Sequence, residues 1–182
     1  MRIGVDLDGV IYDLVGALER QLRRRGVEVE DLPAPTKYHF YEQWGMDRET
    51  FYKEIEYGVC VGDLYWKGDP IVDSKYSIDH LRSKGHEVVL ITHRLTEGCA
   101  SHIRLATYSW LAHHRIHHDD LIFTHDKTIH GLDALLDDCT ENLCNARDAG
   151  IQAIGFWQPW NQDWTGDHIY DWTDFKLRML FG

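Results

Sequence analysis

A short apolar run recurs five times along this chain, and helix-like segments separate the runs. The runs occupy residues 3–8, 87–92, 121–124, 134–138 and 152–157. Helical patterns lie at residues 12–25, 74–84, 100–114 and 140–150. Strands that alternate with helices at this spacing favour a parallel sheet covered by helices on both faces. With 182 residues, the chain is long enough for one such α/β domain with a modest insertion.

Polar side chains stand at the end of three of these runs. Asp6 and Asp8 end the first run, Thr92 ends the second, and Asp137 and Asp138 end the fourth. In parallel α/β sheets, ligands bind beyond the carboxyl ends of the strands. The sequence therefore predicts that these five side chains converge on one edge of the sheet.

A segment of different character, the cap segment (residues 28–73), separates the first helix from the second strand. It contains nine aromatic residues and three of the four prolines, and it does not alternate like a strand. Because it is too long for an ordinary loop, we predict a small, mostly helical cap over the site. Phe40, Tyr65 and Trp66 are our candidates for the pocket lining, although such aromatics also form the core of small helical units. The core domain would then comprise residues 1–27 and 74–182.

Two pairs of carboxylates are candidates for a metal site. Asp6 and Asp8 stand two residues apart after an apolar strand, and Asp137 and Asp138 are adjacent after another. Carboxylates held together in apolar surroundings are costly unless a cation joins them, and Mg²⁺ prefers oxygen ligands. Two alternatives remain open at this point. The first pair also fits an ordinary turn or a calcium loop, and Asp138 also fits the N-cap of the helix that begins near residue 140.

Three further residues are candidates for holding a phosphate group. Thr92 offers a hydroxyl at a strand end, His93 follows it, and the start of the next helix offers free N–H groups to an anion. Lys127 lies between the third and fourth strands and would add a positive charge. The alternative for a lone loop lysine is a solvated side chain without a role.

The charge balance limits the classes of partner. The chain carries 30 acidic and 19 basic residues, a formal net charge of −11. This excess repels a phosphate backbone, so we expect no nucleic-acid polymer as a partner. No apolar run is long enough for a membrane helix, and acidic residues begin at position six. We therefore expect a cytoplasmic protein that does not bind membranes, and a homodimer is left open.

The cysteines and histidines carry no recognisable metal motif. We expect reduced, buried thiols rather than a disulfide framework, because no two of the four cysteines form a Cys-x-x-Cys pair. These are Cys60, Cys99, Cys139 and Cys144. The histidines at positions 113–118 have a spacing that could bind a transition metal, but we favour an exposed helix end, because no cysteine or buried acid completes a site.

The order of these motifs resembles the haloacid dehalogenase-like phosphohydrolase superfamily. The resemblance rests on four motifs in this order. They are the apolar run with Asp-x-Asp-Gly-Val, the run that ends in Thr92, the isolated Lys127, and the run that ends in Asp137 and Asp138. It spans residues 3 to about 157. The 4–10 motif, the cap segment and the stretch at residues 153–161 resemble its 5'(3')-deoxyribonucleotidase-like branch. The resemblance implies a Rossmann-like parallel sheet with helices on both faces and a small cap inserted after the first strand and helix.

The resemblance also implies roles for single residues. Asp6 matches the nucleophile that accepts the phosphoryl group as an aspartyl-phosphate, and Asp8 matches the general acid/base. Thr92 and Lys127 match the residues that hold the phosphate. The implied Mg²⁺ ligands are Asp6, the Asp8 main-chain carbonyl, Asp137 and Asp138.

Three functions are compatible with this pattern. The first is a Mg²⁺-dependent phosphatase of nucleoside 5'-monophosphates, with deoxynucleotides favoured by the resemblance. The second is a phosphatase of a sugar or another small phosphate ester, and the third is a nucleotide-binding module without activity. A binding module has no need for both Asp6 and Asp8, which favours an enzyme whose partner is a small phosphate ester.

Overall fold

Six parallel strands form the centre of the molecule. The computed structural model describes residues 1–27, 32–94, 99–129 and 131–181. The spatial order of the strands is β3-β2-β1-β4-β5-β6. Their bounds are β1 Arg2–Val5, β2 Glu87–Thr92, β3 Asp120–Phe123, β4 Ala134–Asp137, β5 Gln152–Phe156 and β6 His168–Ile169. The five predicted strands are confirmed, and the two-residue edge strand β6 was not predicted because so short a segment carries no alternation.

Helices connect these strands. They are α1 Leu14–Arg24, α2 Arg48–Cys60, α3 Ser74–Ser83, α4 Ala100–His113, α5 Thr140–Asp148 and α6 Trp172–Phe181. The four predicted helices of the core are confirmed to within two residues at most ends. None of the helices in the described ranges is long and apolar enough to cross a bilayer.

The sheet is buried on both faces, as the continuous apolar runs predict. Val88 and Leu90 of β2 pack into one hydrophobic cluster, whereas Val89 and Ile91 pack into a second. This alternation follows from the pleat, because successive side chains of a strand point to opposite faces. The strand ends are therefore fixed between two layers of helices, which leaves their carboxyl edge as the place for polar side chains.

The cap segment contains α2 and a single 3₁₀ turn, Phe40–Glu42. Its first residues, 28–31, lie outside the described ranges. Two buried hydrogen bonds tie its end to the core: Tyr12 donates its hydroxyl to the Leu64 carbonyl, and Trp110 Nε1 donates to the Gly68 carbonyl at 2.7 Å. The residues after α2 therefore pack against the β1–α1 turn. The division into a core and a cap domain stays a prediction.

The structure corrects the prediction of four reduced thiols. Cys60, the last residue of α2, forms a disulfide with Cys99, which precedes α4, and their Cα atoms are 5.7 Å apart. Cys139 and Cys144 are free and half-buried. Sequence reasoning missed the pair because the apolar surroundings of each cysteine say nothing about a partner 39 residues away.

Candidate active site

The carboxyl ends of β2, β1 and β4 meet at one edge of the sheet, with β1 in the middle. Asp6 follows β1 directly, and its N–H donates to the Leu136 carbonyl of β4 at 2.9 Å. Thr92 is the last residue of β2, and Asp137 is the last residue of β4. The structure thus places the predicted side chains beyond neighbouring strands.

Three of the predicted acids form one buried group with Lys127. Carboxylate oxygens of Asp6, Asp137 and Asp138 lie within 4.8 Å of one another. Lys127 Nζ lies 2.6 Å from Asp6 Oδ1 and 2.9 Å from Asp137 Oδ2. In the described parts of the chain, no other group of three or more His, Cys, Asp or Glu side chains is close enough to share a metal ion. The histidines at 113–118 therefore form no such group.

The buried group holds more negative than positive charge. Burial raises the pKa of Asp6 to about 7, with Lys127 opposing the shift and Asp137 adding to it. Burial, together with the charges of Asp6 and Asp137, also raises the pKa of Asp138 well above its usual range. Burial alone would lower the pKa of Lys127, but the carboxylates of Asp137 and Asp6 outweigh it and raise that pKa. Three carboxylates against one ammonium fit a hard divalent cation, because its two charges balance the remaining two.

We expect Mg²⁺ to stabilise the protein more at pH 8 than at pH 5. Because the pKa of Asp6 in the folded chain lies above its unfolded value, the metal-free fold loses stability as the pH rises from about 4 to about 7. Asp138 adds to this loss. Mg²⁺ binds the ionised carboxylates and offsets the loss where protons no longer compete. Thermal unfolding in Mg²⁺ and in chelator, at both pH values and equal ionic strength, measures the effect; equal shifts at both pH values would contradict it.

Asp137 is fixed at the start of α5. Its Oδ1 accepts a hydrogen bond from the Cys139 N–H at 2.8 Å and one from Asn142 Nδ2 at 3.2 Å. The N-cap of α5 is Cys139, whose side chain makes no capping bond. The alternative that Asp138 caps this helix is therefore wrong. Asp137 receives the bonds because its side chain turns back towards the helix start.

Asp138 is held from the loop after β5. Trp160 Nε1 donates to Asp138 Oδ2 at 3.2 Å, and Asn161 Nδ2 donates to the Asp138 carbonyl at 3.0 Å. Asn161 is buried and also donates to the Phe156 carbonyl at 2.8 Å. Sequence reasoning missed the role of Trp160, because an indole in a tryptophan-rich stretch cannot be distinguished from core packing.

Gly9 allows Asp138 to occupy its position. Gly9 has a φ of +81°, and a Cβ built there would stand 2.0 Å from Asp138 Oδ2. Gly85 has nearly the same φ, +83°, but a Cβ there meets nothing within 4 Å. The two glycines therefore share the same backbone strain and differ in the contact with Asp138.

We expect Gly9→Ala to destabilise the protein more than Gly85→Ala does. Gly85→Ala reports the cost of a left-handed alanine, roughly 1–2 kcal/mol. Gly9→Ala adds displacement of a buried carboxylate, worth a further 1–3 kcal/mol or so by analogy with overpacking. Chemical denaturation gives both values, and Mg²⁺ titration followed by thermal shift should show weaker binding for Gly9→Ala alone. Equal losses of stability in the two variants would show that Asp138 does not depend on Gly9.

Asp8 lies outside the group of three carboxylates. The chain leaves β1 at Val5 and turns, with the N–H groups of Ile11 and Tyr12 both donating to the Leu7 carbonyl. The Asp8 carboxylate then pairs with the guanidinium of Arg94, Nη2 to Oδ1 at 2.6 Å and Nε to Oδ2 at 2.9 Å. The sharp turn therefore directs Asp6 and Asp8 to different partners. Sequence reasoning missed Arg94, whose position two residues after Thr92 was the available signal.

Thr92 and His93 lie on the same edge. Thr92 is fully buried, and its Oγ1 accepts a hydrogen bond from the Arg94 N–H at 3.3 Å. His93 is exposed, and its ring centroid is 3.7 Å from that of His125. Partial desolvation of its ring lowers the pKa of His93, and the positive charges of His125 and Lys127 lower it further. The N–H groups predicted to bind an anion fall partly on residues 95–98, outside the described ranges.

Phe40, a predicted pocket residue, packs inside the cap segment. Its ring lies 4.6 Å from that of Trp44 and 5.5 Å from that of Phe51, measured between centroids. Tyr38, which sequence reasoning did not select, lies near enough to the acids for their charges to act on its phenol. Burial of the phenol is the largest cause that raises the pKa of Tyr38, and the negative charges of neighbouring groups, Asp138 among them, add to it. About half of the residue as a whole is nevertheless exposed.

Tyr65 and Trp66 follow α2 in the cap segment. Tyr65 is buried, and its ring centroid lies 4.0 Å from the Arg94 guanidinium carbon. Trp66 is 36% exposed. The structure therefore brings Tyr65 to the partner of Asp8 and leaves about a third of Trp66 exposed to solvent.

One family model matches almost the entire chain. Residues 1–180 match the model described as "5' nucleotidase, deoxy (Pyrimidine), cytosolic type C protein". A protein of Chlorobaculum tepidum described as "Putative 5'(3')-deoxyribonucleotidase" is 29% identical over 176 residues, which cover 94% of this chain and 86% of that protein.

Solved structures share the fold at low sequence identity. A crystal structure described as "a predicted phosphatase from Clostridium acetobutylicum" has a TM-score of 0.68 and 14% identity, covering 100% of this chain and 98% of that one. A haloacid dehalogenase-like family hydrolase from Streptococcus pneumoniae has a TM-score of 0.62 and 14% identity, with the same coverage. These structures support the α/β sheet and its order of elements.

Proposed function

The chain belongs to the family of 5' nucleotidases, deoxy (pyrimidine), cytosolic type C, within the haloacid dehalogenase-like phosphatases, and on that premise we propose that it hydrolyses (deoxy)nucleoside 5'-monophosphates with Mg²⁺ through an aspartyl-phosphate on Asp6. A phosphoric monoester hydrolase is the activity that the family gives to the chain. The observation that carries the finer proposal is the buried group of Asp6, Asp137 and Asp138 around Lys127, with Asp8 beside it.

Asp6 is the proposed nucleophile. A carboxylate oxygen of Asp6 attacks phosphorus, and the bond from phosphorus to the 5' oxygen breaks while Asp8 gives a proton to that oxygen. In the second step Asp8 takes a proton from water, the water oxygen attacks phosphorus, and Asp6 leaves as a carboxylate with inorganic phosphate as product. The 2.6 Å contact with Lys127 supports this role, because it fixes one Asp6 oxygen and favours the ionised form.

Mg²⁺ would be held by Asp6, Asp137, Asp138 and the main-chain carbonyl of Asp8. Bound there, it would neutralise the carboxylates and the phosphate charge that approaches them. The donor set supports a hard divalent cation, because every side chain in it is a carboxylate. Trp160 and the Cys139 N–H keep Asp138 and Asp137 in place for this purpose.

Lys127, Thr92 and His93 are the proposed phosphate-holding residues. Lys127 is nine-tenths buried and keeps its charge between two acids. The Thr92 hydroxyl already orders the backbone at Arg94, and it can donate its proton to a phosphate oxygen. A nucleoside suits the outer part of the site, because the exposed faces of Tyr38 and Trp66 offer stacking surfaces for a flat base.

Phosphate release from a panel of substrates tests this function. The panel contains ribo- and deoxynucleoside 5'-monophosphates, deoxynucleoside 3'-monophosphates and sugar phosphates, each with Mg²⁺ and with chelator. We expect Mg²⁺-dependent release that is fastest from a 5'-nucleotide. Faster release from sugar phosphates than from every nucleotide would contradict the substrate class, and release from none would contradict the activity.

A cytoplasmic location and a cap domain at residues 28–73 are also proposals. The family description as cytosolic supports the location, whereas the Cys60–Cys99 disulfide is unusual for that compartment. The proposed location predicts that this pair, which is bonded in the structure, is opened by the reducing conditions of the cytoplasm. Alkylation of thiols in a freshly opened cell extract, followed by mass analysis, measures the state of the pair.

A further inference from the structure

Arg94 is a charged side chain that lies almost fully enclosed at the edge of this site. Only 1% of its side chain is exposed, and its guanidinium contacts four other side chains at once. Nη2 and Nε bind the two oxygens of Asp8, and Nη1 donates to Thr107 Oγ1 of α4 at 3.2 Å. The rings of Tyr12 and Tyr65 lie at 4.5 and 4.0 Å from its central carbon.

These contacts connect three parts of the molecule through one planar group. Asp8 and Tyr12 belong to the turn after β1, Thr107 belongs to α4, and Tyr65 belongs to the cap segment after α2. Guanidinium planes stack on aromatic faces and bind carboxylates with two parallel bonds. The Arg94 guanidinium therefore fixes the orientation of the Asp8 carboxylate and also contacts Tyr65 of the cap segment.

The geometry leaves Asp8 able to transfer a proton. Asp8 Oδ1 accepts from Arg94 Nη2 at 2.6 Å and from Nε at 3.2 Å, whereas Oδ2 accepts from Nε alone, at 2.9 Å. Each carboxylate oxygen has two lone pairs, so Oδ2 keeps one for a substrate oxygen or a water molecule. About a fifth of the Asp8 side chain is exposed, so it can be reached from the site.

We propose that Arg94 is a positioning residue that holds the Asp8 carboxylate in the plane needed for proton transfer to the leaving group. This inference rests on the proposed function, because it needs Asp8 as the acid/base. Arg94 acts through Asp8 alone, and the rings of Tyr12 and Tyr65 pack against its guanidinium.

Arg94→Lys tests the proposal, because lysine keeps the charge and loses the fork and the stacking. Arg104→Lys is the matched control: Arg104 is exposed and stacks on Phe123, 4.4 Å from its ring centroid. The steady-state constants kcat and KM are measured for a deoxynucleoside 5'-monophosphate and for p-nitrophenyl phosphate. The nitrophenolate leaves without a proton, so a misplaced acid affects it least.

For Arg94→Lys we expect kcat on the nucleotide to fall roughly tenfold to hundredfold, with KM within about twofold. The rate on p-nitrophenyl phosphate should change less than about threefold, and Arg104→Lys should leave both unchanged. A Tyr65→Leu variant should lower the nucleotide kcat in the same direction by a smaller factor, while it keeps Asp8 paired. Circular dichroism and thermal unfolding of each variant report whether the fold is retained.

Equal losses on both substrates, or an unchanged nucleotide rate, would overturn the role of Arg94 while the nucleotidase activity stands. No release from either substrate by the unaltered chain would instead overturn the proposed function, and the role of Asp8 with it. If Arg94→Lys does not fold, Tyr65→Leu decides: a fall in kcat that is confined to the nucleotide and leaves KM unchanged supports the proposal, and an equal loss on both substrates or a loss through KM alone overturns it.

Discussion

Asp6→Asn is expected to abolish phosphate release while the fold becomes no less stable. An amide cannot attack phosphorus as a carboxylate does, so the loss of kcat should be on the order of a thousandfold or more. The stability effect has the opposite sign. Burial raises the pKa of Asp6 to about 7, so its ionised form is costly in the metal-free fold at pH 8. Removing that charge leaves Lys127 paired with Asp137 at 2.9 Å.

Two measurements on the same variant check this prediction. Release of phosphate from the preferred nucleotide gives the activity, and chemical denaturation in chelator at pH 8 gives the free energy of unfolding. Asp163→Asn is the matched control, because Asp163 is exposed and bonds only Thr140 among the interactions described. Substantial remaining activity in Asp6→Asn would show that another group is the nucleophile. A large loss of stability would show that the Asp6 carboxylate supports the fold.

Lys127→Met is expected to remove both activity and stability. The variant leaves three buried carboxylates without their ammonium, and removing one partner of a buried ion pair costs about 3–5 kcal/mol. Because Asp6 and Asp138 already have raised pKa values, protons can replace the lost charge at low pH. The deficit relative to the unaltered chain should therefore be larger at pH 8 than at pH 5.

Denaturation of Lys127→Met at both pH values, with and without Mg²⁺, measures these effects. Mg²⁺ should restore part of the stability and none of the activity, because Lys127 also holds the phosphate in the proposed mechanism. Lys75→Met is the control: Lys75 pairs with Asp79 at the surface, and such pairs are worth less than about 1 kcal/mol. A deficit in Lys127→Met that does not depend on pH would mean that Lys127 contributes through packing rather than charge.

The apolar runs predicted the sheet well, because local patterns carry the relevant information. β2 begins at Glu87 and ends at Thr92, as its run predicts, and α4 and α5 begin at the predicted residues. Both faces of the sheet had to be covered because the runs are apolar throughout. β6 and α6 were missed, since a two-residue strand and a C-terminal helix with scattered apolar residues leave no periodic signal.

The candidate site was predictable in part. Asp6 follows β1, Asp137 ends β4 and Lys127 follows β3, and they come together because the carboxyl ends of these strands lie at the same edge. The position of Tyr38 near the acids was not predictable, because Tyr38 and Phe40 are both aromatics of the cap segment and only its folding decides where each ring lies. The role of Phe40 in the pocket lining stays a prediction.

The sequence by itself determined the order of strands and helices and the edge at which the acidic side chains gather. It did so because alternation, helix periodicity and the position of polar residues at strand ends are local properties. Only the tertiary structure decided how the charges pair. Asp8 binds Arg94 across 86 positions of sequence, while Asp6 shares Lys127 with Asp137. Ion pairing depends on distances of a few ångströms and on burial, and the turn after β1, the packing of α4 and the cap segment set both.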